Sequence, residues 1–190
     1  MRIILPKQIG TKEGNLLFKK SEKIEDFDEG REIVNLLKES LERYRRGVGL
    51  AAPQLGISKR VFIINIRPTE NHPKLPQIGF RAYLNPEILS VSSETNRDFE
   101  TCLSVFYATL SGIVERPSYV KLKYLSLDGK EQIEDISHPF QARIVLHEYD
   151  HLEGKVFLQR MRPEDFSKLI WQEQLDLRKR FKGSQDEKNS

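Results

Sequence analysis

A single cysteine in 190 residues leaves no partner for a disulfide within the chain and suits a reducing, cytoplasmic setting. No apolar run approaches the roughly 20 residues that a membrane span needs. The opening Met1-Arg2-Ile3-Ile4-Leu5-Pro6 is too short and too soon broken to read as a secretory leader. Charge of one sign is also lacking: 31 lysines and arginines against 28 aspartates and glutamates leave a net +3. That is too little to argue for nucleic acid, and neither DNA nor a membrane is expected as a partner. There is no internal repeat and no low-complexity tract. Histidine is scarce at four copies, so where those four fall carries information. What the chain does have is charge, at 31% of residues against 38% hydrophobic, which implies a heavily charged surface around a core large enough for one domain.

Local patterns divide the chain. Residues 1–26 read as an extended, lysine-rich entry segment. From Asp28, the expected N-cap, to about Arg45, a helix is expected because Ile33, Leu37, Leu41 and Tyr44 recur at helical spacing. Val61 to Ile66 reads as a buried strand, the stretch from Arg67 to Gly79 as a loop, and Tyr83 to Pro86 as the start of another extended piece. Val114, Tyr119 to Leu127 and Ile133 to Ile136 suggest further strands, with Asp128-Gly129 as a hairpin turn. A helix from about Phe140 to Glu153 ends at Gly154. Another is expected from Pro163 to Phe181, with a basic end at Arg178, Lys179, Arg180 and Lys182. Strands gather before the main helix instead of alternating with helices, so the expected class is α+β. The expected division is a catalytic domain over 1–165, a C-terminal helix over 166–182 and a disordered tail over 183–190.

The main helix carries the chemistry. His147-Glu148-Tyr149-Asp150-His151 places two imidazoles four residues apart, on one face of a helix, where both can bind one metal ion. Glu148 beside them is placed to act as general base on a water activated there. Two imidazoles need a third ligand. Downstream, Phe157 stands where a metzincin ligand would fall, and Trp171 where a later glutamate would fall. Upstream stands Cys102, in Glu100-Thr101-Cys102-Leu103-Ser104, and a thiolate with two imidazoles leaves one tetrahedral position open for water. A second unusual run, Gly47-Val48-Gly49-Leu50-Ala51-Ala52-Pro53-Gln54, combines small residues that let a backbone approach with the Gln54 amide, a donor for a developing oxyanion. It lacks the lysine of a phosphate-binding loop.

In this order the three runs resemble the motifs of the peptide deformylases, G-x-G-x-A-A-x-Q, E-G-C-L-S and H-E-x-x-H. Flanking residues agree, including Asn85-Pro86-Glu87-Ile88 and Asp150-His151-Leu152-Glu153-Gly154, and the likeness runs from about residue 2 to 165. The resemblance implies small antiparallel sheets packed around a central helix that carries H-E-x-x-H. It implies removal of the formyl group from the N-terminal formylmethionine of nascent polypeptides. Cys102, His147 and His151 would hold one ion per chain, Fe(II) first, with Zn(II), Ni(II) or Co(II) as substitutes. Glu148 would move the protons, while the Gln54 amide and the Leu103 N–H would meet the oxyanion. The peptide would lie along Gly47, Val48 and Gly49, its methionine in a pocket made by Val48, Leu103 and Ile144. Glu100 would orient the site by pairing with Arg116.

The chain departs from the family pattern at four places. Thr101 replaces a glycine, Phe106 stands where proline is common, Leu146 replaces a frequent glutamine, and the segment up to Arg116 is slightly longer. These put peptide preference in question and leave the expected metal ligands intact. Two rival readings stay open. The helix motif alone also suits a zinc endopeptidase with a downstream ligand, and Thr101 and Phe106 would suit a metal-bearing binding protein without turnover. The basic end at Arg178 to Lys182 reads either as solvated surface or as a contact with ribosomal RNA.

Overall fold

The computed structural model describes residues 5–44, 47–68 and 75–171. Its strands are β1 (Gly49–Ala51), β2 (Val61–Ile66), β3 (Gly79–Val91), β4 (Thr95–Thr101), β5 (Leu110–Pro117), β6 (Val120–Leu125), β7 (Glu131–Ile136) and β8 (Ile170–Trp171). Its two α-helices are α1 (Phe27–Glu42) and α2 (Pro139–Leu152). An antiparallel five-stranded sheet runs β1-β2-β3-β6-β7, and a three-stranded sheet runs β4-β5-β8. The class is α+β, with small antiparallel sheets about a central helix, as the sequence leads one to expect.

The unbroken apolar run of β2 is explained by burial on both faces of the larger sheet. Side chains alternate along a strand. Phe62, Ile64 and Ile66 therefore meet Ala142, Val145, Leu146 and Leu152 of α2. Val61 and Ile63 point the other way, toward Ile33, Val34, Leu37 and Leu41 of α1. A third cluster, with Val105, Leu110, Val114, Phe157 and Met161, closes the smaller sheet around Cys102. The β6–β7 hairpin turns where expected, with the Gly129 N–H donating to the Ser126 carbonyl at 2.9 Å.

Several expectations are corrected. The N-cap of α1 is Asp26, not Asp28: Asp26 has extended backbone and its carboxylate accepts from the Asp28 N–H at 2.9 Å. The entry segment is not extended throughout, because Glu13–Phe18 forms a 3-10 helix that buries Leu17. β4 was not anticipated. The helix expected from Pro163 is, over its described part, a 3-10 turn at Pro163–Lys168 followed by β8. Leu169 turns extended, at φ −56° and ψ 133°, and Ile170 is buried opposite Ser111 on β5. Residues 172–182, including the basic end, and the expected tail lie outside the described residues.

Two local features fix the frame around α2. Asn85 sits at φ +48° where the β3–β6 register shifts, a bulge. Its amide both accepts from the Ile24 N–H and donates to the Ile24 carbonyl at 2.8 Å, pinning the entry segment to the sheet. Gly154 follows α2 at φ +69°, and a Cβ there would lie 2.8 Å from the Phe18 backbone. Only glycine serves both the left-handed turn and that approach.

Candidate metal centre

Three segments far apart in sequence meet at α2. Helical spacing puts His147 and His151 on one face, and both are buried. The end of β4 delivers Cys102, whose Sγ lies 3.3 Å from His151 Nε2. One ligand atom from each of Cys102, His147 and His151 lies within 4.8 Å of the other two, the one such cluster among the described residues. The spacing and the chemistry fit one ion: His147 Nδ1 is 2.8 Å from Glu100 Oε2, which leaves Nε2 to face the sulfur. A neutral imidazole with one nitrogen held by a carboxylate presents the lone pair of the other. Burial alone would strip the proton from His147, but hydrogen bonds with Cys102 and Glu100 outweigh it and hold its pKa well above the usual histidine range. His151 is shifted the other way, chiefly by burial and then by the charge of His147.

Glu148 packs on β1, where a Cβ on Gly49 would lie 2.5 Å from its Oε1. Glycine at 49 is thus required by the carboxylate as well as suited to a ligand. Glu148 Oε2 is buried with no hydrogen-bond partner, and burial pushes the carboxyl up to about 7. An orphaned, desolvated carboxylate costs stability unless function uses it.

Gln54 follows β1 in a 3-10 turn at Ala52–Leu55. The Ala51 N–H donates to its Oε1 at 2.8 Å, which fixes the amide orientation and turns its NH2 toward Cys102 Sγ at 3.5 Å and Ser104 Oγ at 3.3 Å. The Ser104 N–H also points at the sulfur, at 3.4 Å. The Leu103 carbonyl is taken by Gln8 Nε2 at 2.8 Å. Gly47 and Val48 lead into β1, an edge strand of the larger sheet among the described residues. Val48 and Ile144 are half-buried against the core between α2 and that sheet, whereas Leu103 packs against the neighbouring core.

Glu100 and Arg116 face each other through two hydrogen bonds of 2.9 Å. Residue patterns had not disclosed what surrounds them. Arg143, one turn before His147 on α2, donates to Glu100 Oε1 at 2.8 Å and to the Val114 carbonyl at 3.0 Å. Arg116 also reaches Asp150 at 2.5 Å, and Arg160 closes the far side of Asp150. Burial raises the Glu100 pKa, but the hydrogen bonds and charges of Arg116 and His147 prevail and hold it well below the usual carboxylate range. Helical spacing alone puts Arg143 on the His147 face, but its partners Glu100 and Asn96 lie more than forty residues away in sequence.

An α+β scaffold that brings a thiol, two imidazoles and a desolvated carboxylate together has the make-up of a single-metal hydrolase. The family model described as polypeptide deformylase matches residues 6–167. Peptide deformylase 2 of Clostridium perfringens (strain 13 / Type A) is 39% identical over 144 residues, 76% of this chain and 85% of that one. Among solved structures, the Met-Ala-Ser-bound class I type b peptide deformylase of Acinetobacter baumannii aligns with TM-score 0.73 at 36% identity, covering 85% of this chain and all of that one, 100%. For the peptide deformylase of Thermotoga maritima the TM-score is 0.71 at 31% identity, with 86% and 100% covered. The chain belongs to the peptide deformylase family, metal-dependent hydrolases that remove the N-formyl group from the N-terminal formylmethionine of newly made proteins.

Proposed function

We propose that Cys102, His147 and His151 hold one divalent ion and that Glu148 moves the protons of formyl hydrolysis. The convergence of a sulfur and two ring nitrogens within 4.8 Å, beside an unpartnered carboxylate oxygen, is the observation that supports this reading. When bound, the ion supplies Lewis acidity, which lowers the pKa of water and polarises a carbonyl oxygen. Glu148, poised near neutrality by burial, takes the proton of the attacking water and returns it to the departing amine. The Gln54 NH2, aimed by the Ala51 N–H, and the Leu103 N–H donate to the formyl oxygen as it gains charge. Glu100, held by Arg116, keeps the His147 ring in orientation. The peptide adds itself along Gly47, Val48 and Gly49 at the open edge of β1, as an extra strand. Its methionine side chain enters between Val48, Leu103 and Ile144.

A thiolate with two imidazoles suits iron(II), zinc, cobalt and nickel; the resemblance puts iron(II) first, and oxygen-free purification followed by metal analysis tests it. The reading also places the protein in the cytoplasm; among the described residues no helix is long and apolar enough to cross a membrane. A contact of Arg178, Lys179, Arg180 and Lys182 with the ribosome rests on their charge alone. Truncation after Trp171, which spares the buried Asp165 and Ile170, tests it by cosedimentation.

The direct test of the roles is formate release from a formyl-methionyl peptide. Glu148→Gln should lose at least about a thousandfold in kcat and keep its metal. Gln54→Ala should lose roughly 100- to 1000-fold, also with metal retained. Near-normal turnover by Glu148→Gln would refute the assignment of the base, and cleavage of an internal peptide bond instead would favour an endopeptidase.

A further inference from the structure

The two donors assigned to the formyl oxygen, the Gln54 amide and the Leu103 N–H, stand on segments far apart in sequence. One short stretch of the entry segment ties both. The Lys7 N–H donates to the Gln54 carbonyl at 2.7 Å, Gln8 Nε2 to the Leu103 carbonyl at 2.8 Å, and the Ile9 N–H to the Ser104 carbonyl at 2.9 Å. Gln8 also reaches further along the same loop. Its Oε1 accepts the Tyr107 N–H at 3.0 Å, so one side chain spans the loop from Leu103 to Tyr107. The amide fits only this way round, because Nε2 also donates to the Pro6 carbonyl at 3.2 Å.

That loop contains three consecutive non-glycine residues at positive φ: Phe106 at 45°, Tyr107 at 54° and Ala108 at 60°. L-residues seldom adopt this region, and three in succession is costly. The reversal brings the Ala108 N–H back to the Cys102 carbonyl at 3.1 Å, where the Val105 N–H already donates at 3.0 Å. In a planar trans peptide the N–H lies antiparallel to the C=O. Fixing the Cys102 carbonyl therefore fixes the Leu103 N–H, which points away from the turn. Among the described residues that N–H has no acceptor. Gln8 holds the next peptide unit by its Leu103 carbonyl, so the planes on both sides of the Leu103 Cα are pinned. Backbone strain persists where the surroundings over-determine it, and here they determine the aim of one donor.

We infer that Gln8 and the Phe106–Ala108 turn are positioning elements that aim the Leu103 N–H at the formyl oxygen. The inference rests on the oxyanion role proposed above for that N–H. On formyl-Met-Ala-Ser, Gln8→Ala should lower kcat roughly 10- to 100-fold, the cost of a misplaced group, with KM and bound metal unchanged. Ala108→Pro, which removes a donor and cannot adopt a positive φ, should lose as much. Ala108→Gly, which adopts it readily, should keep the wild-type kcat. The sharpest measurement replaces Leu103 by its α-hydroxy analogue, so that an ester oxygen stands where the N–H was. If Gln8 acts through that N–H, Gln8→Ala should cost nothing further in the ester protein. A kcat for Gln8→Ala within about twofold of wild type, or the same loss in the ester protein as in wild type, overturns the inference. So does a loss of metal along with kcat, since the loop would then serve Cys102. An ester protein with undiminished kcat instead refutes the donor role of the Leu103 N–H, and the positioning role falls with it.

Discussion

The two sides of α2 are built from opposite materials. Toward the five-stranded sheet, Ala142, Val145, Leu146 and Leu152 enter an interior of Phe62, Ile64, Tyr83 and Leu122. Toward the three-stranded sheet, Arg143 and Asp150 join Glu100 and Arg116, four charged groups each exposed by 5% or less. Apolar burial stabilises in proportion to area and tolerates exchange of one shape for another. Buried ion networks add little net stability, because desolvation offsets attraction, but they admit only one geometry. One side of the helix therefore holds the fold, and the other holds the His147 ring in place.

Substitutions on the two sides should separate these tasks. Arg116→Met leaves Glu100 and Asp150 short of a cation and should cost about 4 kcal/mol. It should also weaken metal binding, measured by competition with a chelator. Leu122→Ala, in the apolar interior, should cost about 3 kcal/mol in denaturant unfolding and leave metal affinity unchanged. Equal metal loss in both variants would break the distinction.

Glu148 gives a smaller, pH-dependent effect. In protein stripped of metal its carboxyl titrates near 7, against an unfolded value of 4.5. The native state then binds the extra proton between those values, so this group's contribution falls as pH rises through the window and is fully unfavourable above it. Glu148→Gln mimics the protonated form. It should match wild type below pH 4.5 and exceed it by up to about 3 kcal/mol at pH 8. Smallest of all, Asp26→Ala removes the cap of α1, which packs in a different core cluster from Cys102, and should cost about 1 kcal/mol with metal binding and formate release untouched.

Legibility in the sequence follows the same division. Ile33, Leu37 and Leu41 announce α1, and the run Val61–Ile66 announces a strand buried on both faces, because apolar packing leaves periodic traces. Cys102, His147, His151 and Gln54 were visible as motifs. β4 was not: Thr95–Thr101 is polar and half exposed, and its place comes from pairing with β5, as in Glu100 opposite Gly112. The stretch Phe166, Leu169, Ile170 has helical spacing, yet Ile170 is buried by pairing with β5. Arg143 meets Glu100 and Asn96 across more than forty residues, which no local pattern encodes.

On the proposed reading, the Cys102 sulfur and the two ring nitrogens bind the same ion. Absorption spectroscopy of the cobalt(II)-substituted protein tests it most directly, since a thiolate ligand adds a sulfur-to-metal charge-transfer band in the near ultraviolet. The wild type should show that band with one cobalt per chain, and Cys102→Ser should lose it. A cobalt-loaded wild type without the band, or a Cys102→Ser variant that keeps it, would show that the sulfur does not bind the ion.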